Sequence, residues 1–163
     1  IGYHFTLCGN TEVFEGVEPT QTPRTSHEHR EPFCFMDDQE KIIYKELSYT
    51  LGGLFYRTHD ILGRYALERQ YGNLFEQLLR EREIRYEREK FISRTGSDVN
   101  RADFVILNLI VVEFKTKPII TRDDYYQVQR YLEYTNLRLG LLVNFRQEYL
   151  KPKRIVNAKY ISP

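Results

Sequence analysis

The chain has no tryptophan, one methionine and two cysteines among 163 residues. Both cysteines, Cys8 and Cys34, precede residue 36, so no disulfide can staple the rest, and a reducing cytoplasm is the expected setting. No apolar run reaches bilayer length, since the longest, 104–112, is interrupted by Asn108; a membrane partner is therefore not expected. The opening "IGYHFTLCGN" lacks a basic region followed by an apolar one, so it does not read as a secretion signal. No internal repeat is present. His59 is the one histidine after residue 36, and a lone histidine in a helical stretch is structural by default.

What is present is core-forming bulk. Thirteen Tyr and ten Phe, in a chain that is 41% hydrophobic, suffice for one domain with a proper core. The net charge of +1 conceals an uneven distribution. Residues 1–35 carry two Arg and five Glu, which leaves the body mildly basic and compatible with a nucleic-acid partner. Residues 1–35 also lack a sustained period and are rich in Thr, Pro, Glu and His. We read them as a poorly ordered leader, upstream of a candidate true start at Met36, with the domain spanning 36–163. The "HEH" stretch and Cys34 do not make a structural zinc site, which needs four well-spaced ligands.

From residue 39 the pattern becomes regular. "QEKIIYKELSYTLGGLFYRTHDIL" places Ile43, Leu47, Leu51, Leu54, Phe55 and Ile61 at helical spacing, and Gly63 ends it. "ALERQYGNLFEQLLRERE" predicts a second helix with Leu67, Tyr71, Leu74, Phe75 and Leu78 inward. "IRYEREKFI" predicts an edge strand, "RTGSDVN" a loop, and 101–107 and 110–116 two apolar strands. "TRDD" at 121–124 is a capping box opening a helix to about Asn136. "LGLLVNF" predicts a central strand, and "KRIVNA" a short last one. This order implies an α/β fold, a mixed central sheet flanked by helices.

Three charges interrupt the two apolar strands: Asp103, Glu113 and Lys115. Strands this close form an antiparallel hairpin turning at Asn108, which places Asp103 opposite Glu113. Both share a face with Val105, Val111 and Lys115, whereas Phe104, Ile106, Ile110, Val112 and Phe114 form a wholly apolar face. Opposed side chains have Cβ atoms roughly 4.5–5.5 Å apart, where two carboxylates repel. A divalent cation relieves that repulsion, because Mg²⁺ takes carboxylate, water and phosphate oxygens. A lysine two residues on then suits metal-assisted phosphodiester hydrolysis. The same spacing also fits a plain surface ladder of ion pairs.

The D-x9-E-x-K pattern on such a hairpin resembles the PD-(D/E)XK nuclease superfamily, with Ala102 where its signature has proline. "LGRYALERQY" resembles the naming motif of one branch, the GxxExxY proteins, in Glu68 and Tyr71, although Tyr65 stands at the motif's glycine. "QVQRY" matches the Q-x-x-x-Y motif of related nucleases, and "LGLLVNF" and "KPKRIVN" resemble the branch's closing strands. The resemblance, from about Lys41 to Asn157, implies a restriction-endonuclease-like core. It implies that Asp103 and Glu113 bind Mg²⁺ (or Mn²⁺), that Glu68 completes the acidic cluster, and that Lys115 assists water activation. Tyr71, Gln127 and Tyr131 become substrate-binding or site-supporting residues, although Tyr131 reads equally as core. Lys151, Lys153 and Arg154 form the basic cluster expected to contact phosphate. Arg85, Arg88, Lys90 and Arg101 lie among Glu81, Glu83, Glu87 and Glu89 and read as ordinary solubilisation. The expected activity is Mg²⁺-dependent cleavage of nucleic acid, with DNA the expected substrate. The alternative is a binding module for nucleic acid or protein that keeps the fold without catalysis. Oligomeric state is not legible.

Overall fold

The computed structural model describes residues 42–95 and 98–162. The expected leader, with its HEH and Cys34 grouping, lies outside the described residues. The elements are α1 (Lys45–Leu62), α2 (Glu68–Glu81), β1 (Tyr86–Thr95), β2 (Asp98–Ile106), β3 (Ile110–Lys115), α3 (Arg122–Thr135), β4 (Leu139–Asn144) and β5 (Lys153–Val156). Their order is the expected one. The strands form one sheet in the order β1-β2-β3-β4-β5, antiparallel except for the parallel β3–β4 pair. This mixed sheet flanked by helices is the α/β, restriction-endonuclease-like architecture implied above. None of the described helices is long and apolar enough to cross a membrane.

The two faces of the sheet bury different partners. Phe104, Ile106, Ile110, Val112 and Phe114, the face read as apolar, pack with Leu139, Leu141 and Val143 against α1 and α2. Aromatic rings fill this layer: Phe75 lies 4.9 Å from Phe55, 5.1 Å from Phe104 and 5.2 Å from Phe114. The other face is smaller, with Val105, Val111 and Leu142 under Val128, Tyr131 and Leu132 of α3. Gly140 permits that helix to sit close, since a Cβ there would fall 2.5 Å from Val128 Cγ1 and 3.3 Å from Leu132 Cδ1. β4 is buried at every position, as a strand apolar on both faces should be.

Several local expectations need correction. α1 begins at Lys45, after Tyr44 in a left-handed conformation at φ 49°, rather than near 39. Ile61 is 57% exposed and Leu67 69% exposed, so neither joins the core. Leu67 is instead the residue before α2, whose first turn Gln70 closes by accepting the Leu67 amide through Oε1 at 2.8 Å. Most of the stretch read as a loop, 94–100, belongs to β1 and β2, which pair as a long hairpin. Gly63 does end α1, at φ 66°. The capping box also forms: Asp124 Oδ2 accepts the Thr121 amide at 2.7 Å and the Thr121 hydroxyl at 2.9 Å.

Candidate active site at the splayed hairpin

β2 and β3 turn through Leu107–Leu109, with Leu107 and Asn108 both left-handed at φ 51° and 57°. The register Phe104↔Val112, Val105↔Val111, Ile106↔Ile110 is the reflection about residue 108 expected from sequence. The ladder stops at Phe104, so one step short of Asp103 the strands part. Asp103 Oδ2 there accepts the Phe114 amide at 2.6 Å, and a side chain satisfies this backbone donor. The aspartate is thereby fixed beside β3.

Glu113 lies on the α3 face and is only 3% exposed, which excludes the surface ladder. Its Oε1 accepts from Lys115 Nζ at 2.8 Å, while its buried Oε2 has no hydrogen-bond partner among the described residues. Burial, and then the Asp103 charge, push the Glu113 carboxyl up to about 7. Burial likewise raises Asp103 to about 6 against the pull of the Phe114 amide, with the charges of Glu68 and Glu89 adding to it. Burial works against the Lys115 ammonium, yet contact with Glu113 outweighs it and holds the pKa above the usual lysine value.

α3 closes the site from above. Lys115 Nζ donates to Gln127 Oε1 at 3.1 Å, and Gln127 Nε2 donates to Tyr131 Oη at 2.6 Å. Gln127 therefore touches Lys115, while Tyr131 is buried in the core and orients Gln127. The segment after Lys115 is clamped to the end of β4. Asn144 Nδ2 donates to the Lys117 carbonyl at 2.7 Å, and Asn144 Oδ1 accepts the Lys117 amide at 3.3 Å.

The remaining predicted residues separate. Glu68, the first residue of α2, is exposed rather than drawn inward, and its Oε2 accepts weakly from the Thr116 hydroxyl at 3.5 Å. It faces, with Asp103, a cleft of about 220 Å³ also lined by Arg69, Gly72, Arg88, Glu89, Phe104 and Phe114. No group of three or more His, Cys, Asp or Glu side chains is close enough to hold an ion among the described residues, so Glu68 does not complete a three-carboxylate cage here. Tyr71 is fully buried, stacked 4.2 Å from Phe145, and supports the site only through the backbone: its hydroxyl donates to the Gly63 carbonyl at 2.6 Å and accepts the Ala66 amide at 3.2 Å.

The C-terminal basic cluster divides as well. Arg154 donates to the Ile43 carbonyl at 2.6 Å and lines the α1 side. Lys153 pairs with Leu142, which pairs with Glu113, so exposed Lys153 lies in one row across the sheet with the glutamate. Lys151 is exposed just before it, and neither lysine makes an ion pair among the described residues. Arg88, Lys90 and Arg101 do pair locally, with Glu76, Glu87 and Glu89. His59 is structural, its Nε2 lying 2.9 Å from the Gln147 carbonyl oxygen.

Glu89 is the site neighbour that sequence reading passed over. It sits in β1 at φ 49°, beside the cleft and within electrostatic reach of Asp103. Arg88↔Phe104 and Lys90↔Ala102 flank it and so set it opposite Asp103. Reflection about the T-G-S-D stretch would have found this, apart from a bulge between Phe91 and Ser93 that shifts the register.

Residues 45–156 match the family described as the PD-(D/E)XK nuclease superfamily. No curated protein matches the chain. A solved structure, "Crystal structure of SSO0001", is 20% identical with a TM-score of 0.42, over 66% of this chain and 65% of that one. The family match runs from the first residue of α1 to the last of β5. The chain belongs to the PD-(D/E)XK nuclease superfamily.

Proposed function

We propose that this domain is a nuclease of the GxxExxY branch that hydrolyses phosphodiester bonds of DNA with the help of Mg²⁺ or Mn²⁺. Asp103 and Glu113 would hold the ion. One observation carries this reading: the Asp103 and Glu113 carboxyls are buried within electrostatic reach of one another, and the buried Glu113 Oε2 has no hydrogen-bond partner among the described residues. Such an oxygen is costly to leave unsatisfied, and the acid–acid pair is a donor set that suits a hard divalent cation. The bound ion would supply charge neutralisation and Lewis-acid activation to the scissile phosphate.

The chain's own residues divide the remaining work. The Lys115 ammonium, oriented by Glu113 Oε1 and Gln127 Oε1, keeps one N–H for a substrate oxygen. Its raised pKa keeps it protonated, so it stabilises developing negative charge rather than removing a proton from water. Lys153 and Lys151, exposed beyond β4, would meet backbone phosphates of the bound strand.

The test is a cleavage panel with Mg²⁺ or Mn²⁺ on single-stranded, duplex and branched DNA, and on RNA. Lys115→Ala and the isosteric Lys115→Met serve as controls. Metal-dependent cleavage lost in both variants supports the reading. Cleavage that persists in them assigns the activity to another site or a contaminant. No cleavage of any substrate by the wild type leaves a binding module with a nuclease fold.

A further inference from the structure

The α1–α2 connection, 63–67, presents an exposed aromatic ring beside the site. Tyr65 is 71% exposed, at the position where the motif resembled by this stretch has glycine. Two guanidinium groups lie over its ring, Arg64 at 5.0 Å and Arg146 at 5.4 Å from the centroid. Arg146 donates through Nε and Nη2 to the Thr116 carbonyl, both at 3.2 Å. Thr116 follows Lys115 directly and reaches Glu68 through its hydroxyl. Arg64 is held in turn by Glu148 at 3.8 Å, which ties the connection to the segment after β4. The ring thus stands on a short chain of contacts leading to the residues that would bind phosphate, and Tyr71 braces its loop from below.

An exposed tyrosine flanked by arginines has a specific use next to a phosphodiester site. Base faces stack on aromatic rings and guanidinium planes, and the guanidinium charge complements the strand's phosphates. A paired base already stacks within its duplex and gains nothing from the ring, whereas an unpaired base does. We propose that Tyr65, with Arg64 and Arg146, is the stacking platform for an unpaired base next to the scissile phosphate. Single-stranded or frayed nucleic acid is then the preferred substrate. The proposal rests on the nucleic-acid reading of the acid–lysine site and adds the strand state that the site accepts.

The absence of tryptophan supplies the probe. Tyr65→Trp in the full chain introduces a single indole, whose emission is followed as a single-stranded oligonucleotide, or its duplex, is added with Ca²⁺ in place of Mg²⁺. Saturable quenching by the single strand, weaker with duplex, is expected. Tyr65→Ala should weaken single-strand binding, read by anisotropy of a labelled oligonucleotide, about tenfold, within the range for one stacked base. Its duplex binding should stay unchanged, and Tyr65→Phe should retain most of the affinity. Single-strand binding by Tyr65→Ala at wild-type strength, or an indole unaffected by a bound strand, overturns the platform. If quenching and the Tyr65→Ala loss appear without metal-dependent cleavage by the wild type, the platform stands and the catalytic reading falls. If the wild type cleaves and Tyr65→Ala cuts single strands equally well, the catalytic reading stands and the platform falls.

Discussion

Glu113 is the residue on which the energetics of the site turn. Its carboxyl is buried, feels the charge of Asp103 and relies on Lys115 as its hydrogen-bonded cation. Removing one partner of a buried pair costs more than the pair itself contributes, because the other charge stays behind. Protonation offers Glu113 a way out, since its pKa already lies near 7. Lys115→Met should therefore destabilise the fold more at about pH 8 than at about pH 6, by up to about 1.4 kcal/mol per pH unit. Urea denaturation at the two pH values checks this, and a pH-independent cost would count against a charged Glu113. Asp103→Asn should act oppositely. The amide oxygen can still accept from Phe114, the repulsion is gone, and metal-free stability at about pH 8 should hold or rise. The thermal shift produced by Mg²⁺ or Mn²⁺ should disappear in the same variant. A retained shift would place the ion elsewhere.

At the scale of elements, two contacts set where these residues stand. α3 reaches Lys115 through Gln127 because Gly140 leaves room for Val128 and Leu132 against β4. Gly140→Ala should cost about 1–3 kcal/mol by overpacking and should lower metal-dependent cleavage more than fold content, as Gln127 is lifted from Lys115. Equal stability in a denaturant titration would mean that α3 shifts freely and that the close contact decides nothing. On the other face, the Tyr71 hydroxyl joins Gly63 and Ala66 and so closes the α1–α2 connection. Tyr71→Phe should lower stability by about 1–2 kcal/mol through two unmet backbone groups, with the stacked ring on Phe145 retained. Hydrogen exchange at the Ala66 amide would show whether the loop has loosened.

For the whole molecule the acid pair sets a pH dependence. Asp103 and Glu113 stand above their ordinary values, at about 6 and about 7, so the folded chain binds more protons than the unfolded chain between roughly pH 4 and pH 7. The stability contributed by holding those protons is complete at the acidic end of the window and is lost as pH rises through it. A divalent ion replaces the protons. The rise in melting temperature with millimolar Mg²⁺ or Mn²⁺ should therefore be larger at about pH 8 than at about pH 5.5, measured by differential scanning fluorimetry. A larger rise at the acidic end would contradict proton–metal competition at this pair.

Local pattern determined much of this protein. The order of helices and strands, the apolar face of the hairpin, the turn centred on Asn108 and the buried β4 follow from periodicity and turn chemistry, which act over a few residues. Asp103, Glu113 and Lys115 were legible for the same reason, as charges breaking an otherwise apolar alternation. Tertiary structure alone decided the rest. It ended the ladder at Phe104 and gave Asp103 an amide to hold. It left Glu68 at the cleft wall, brought Glu89 opposite Asp103 across a bulged strand, and sent Arg154 to the far side of the sheet from the acids. It also gathered Arg64 and Arg146 over Tyr65 from segments about eighty residues apart. A residue's neighbours along the chain fix its local conformation, whereas packing between distant segments fixes which charges and rings share one small volume, and the proposed chemistry depends on the second.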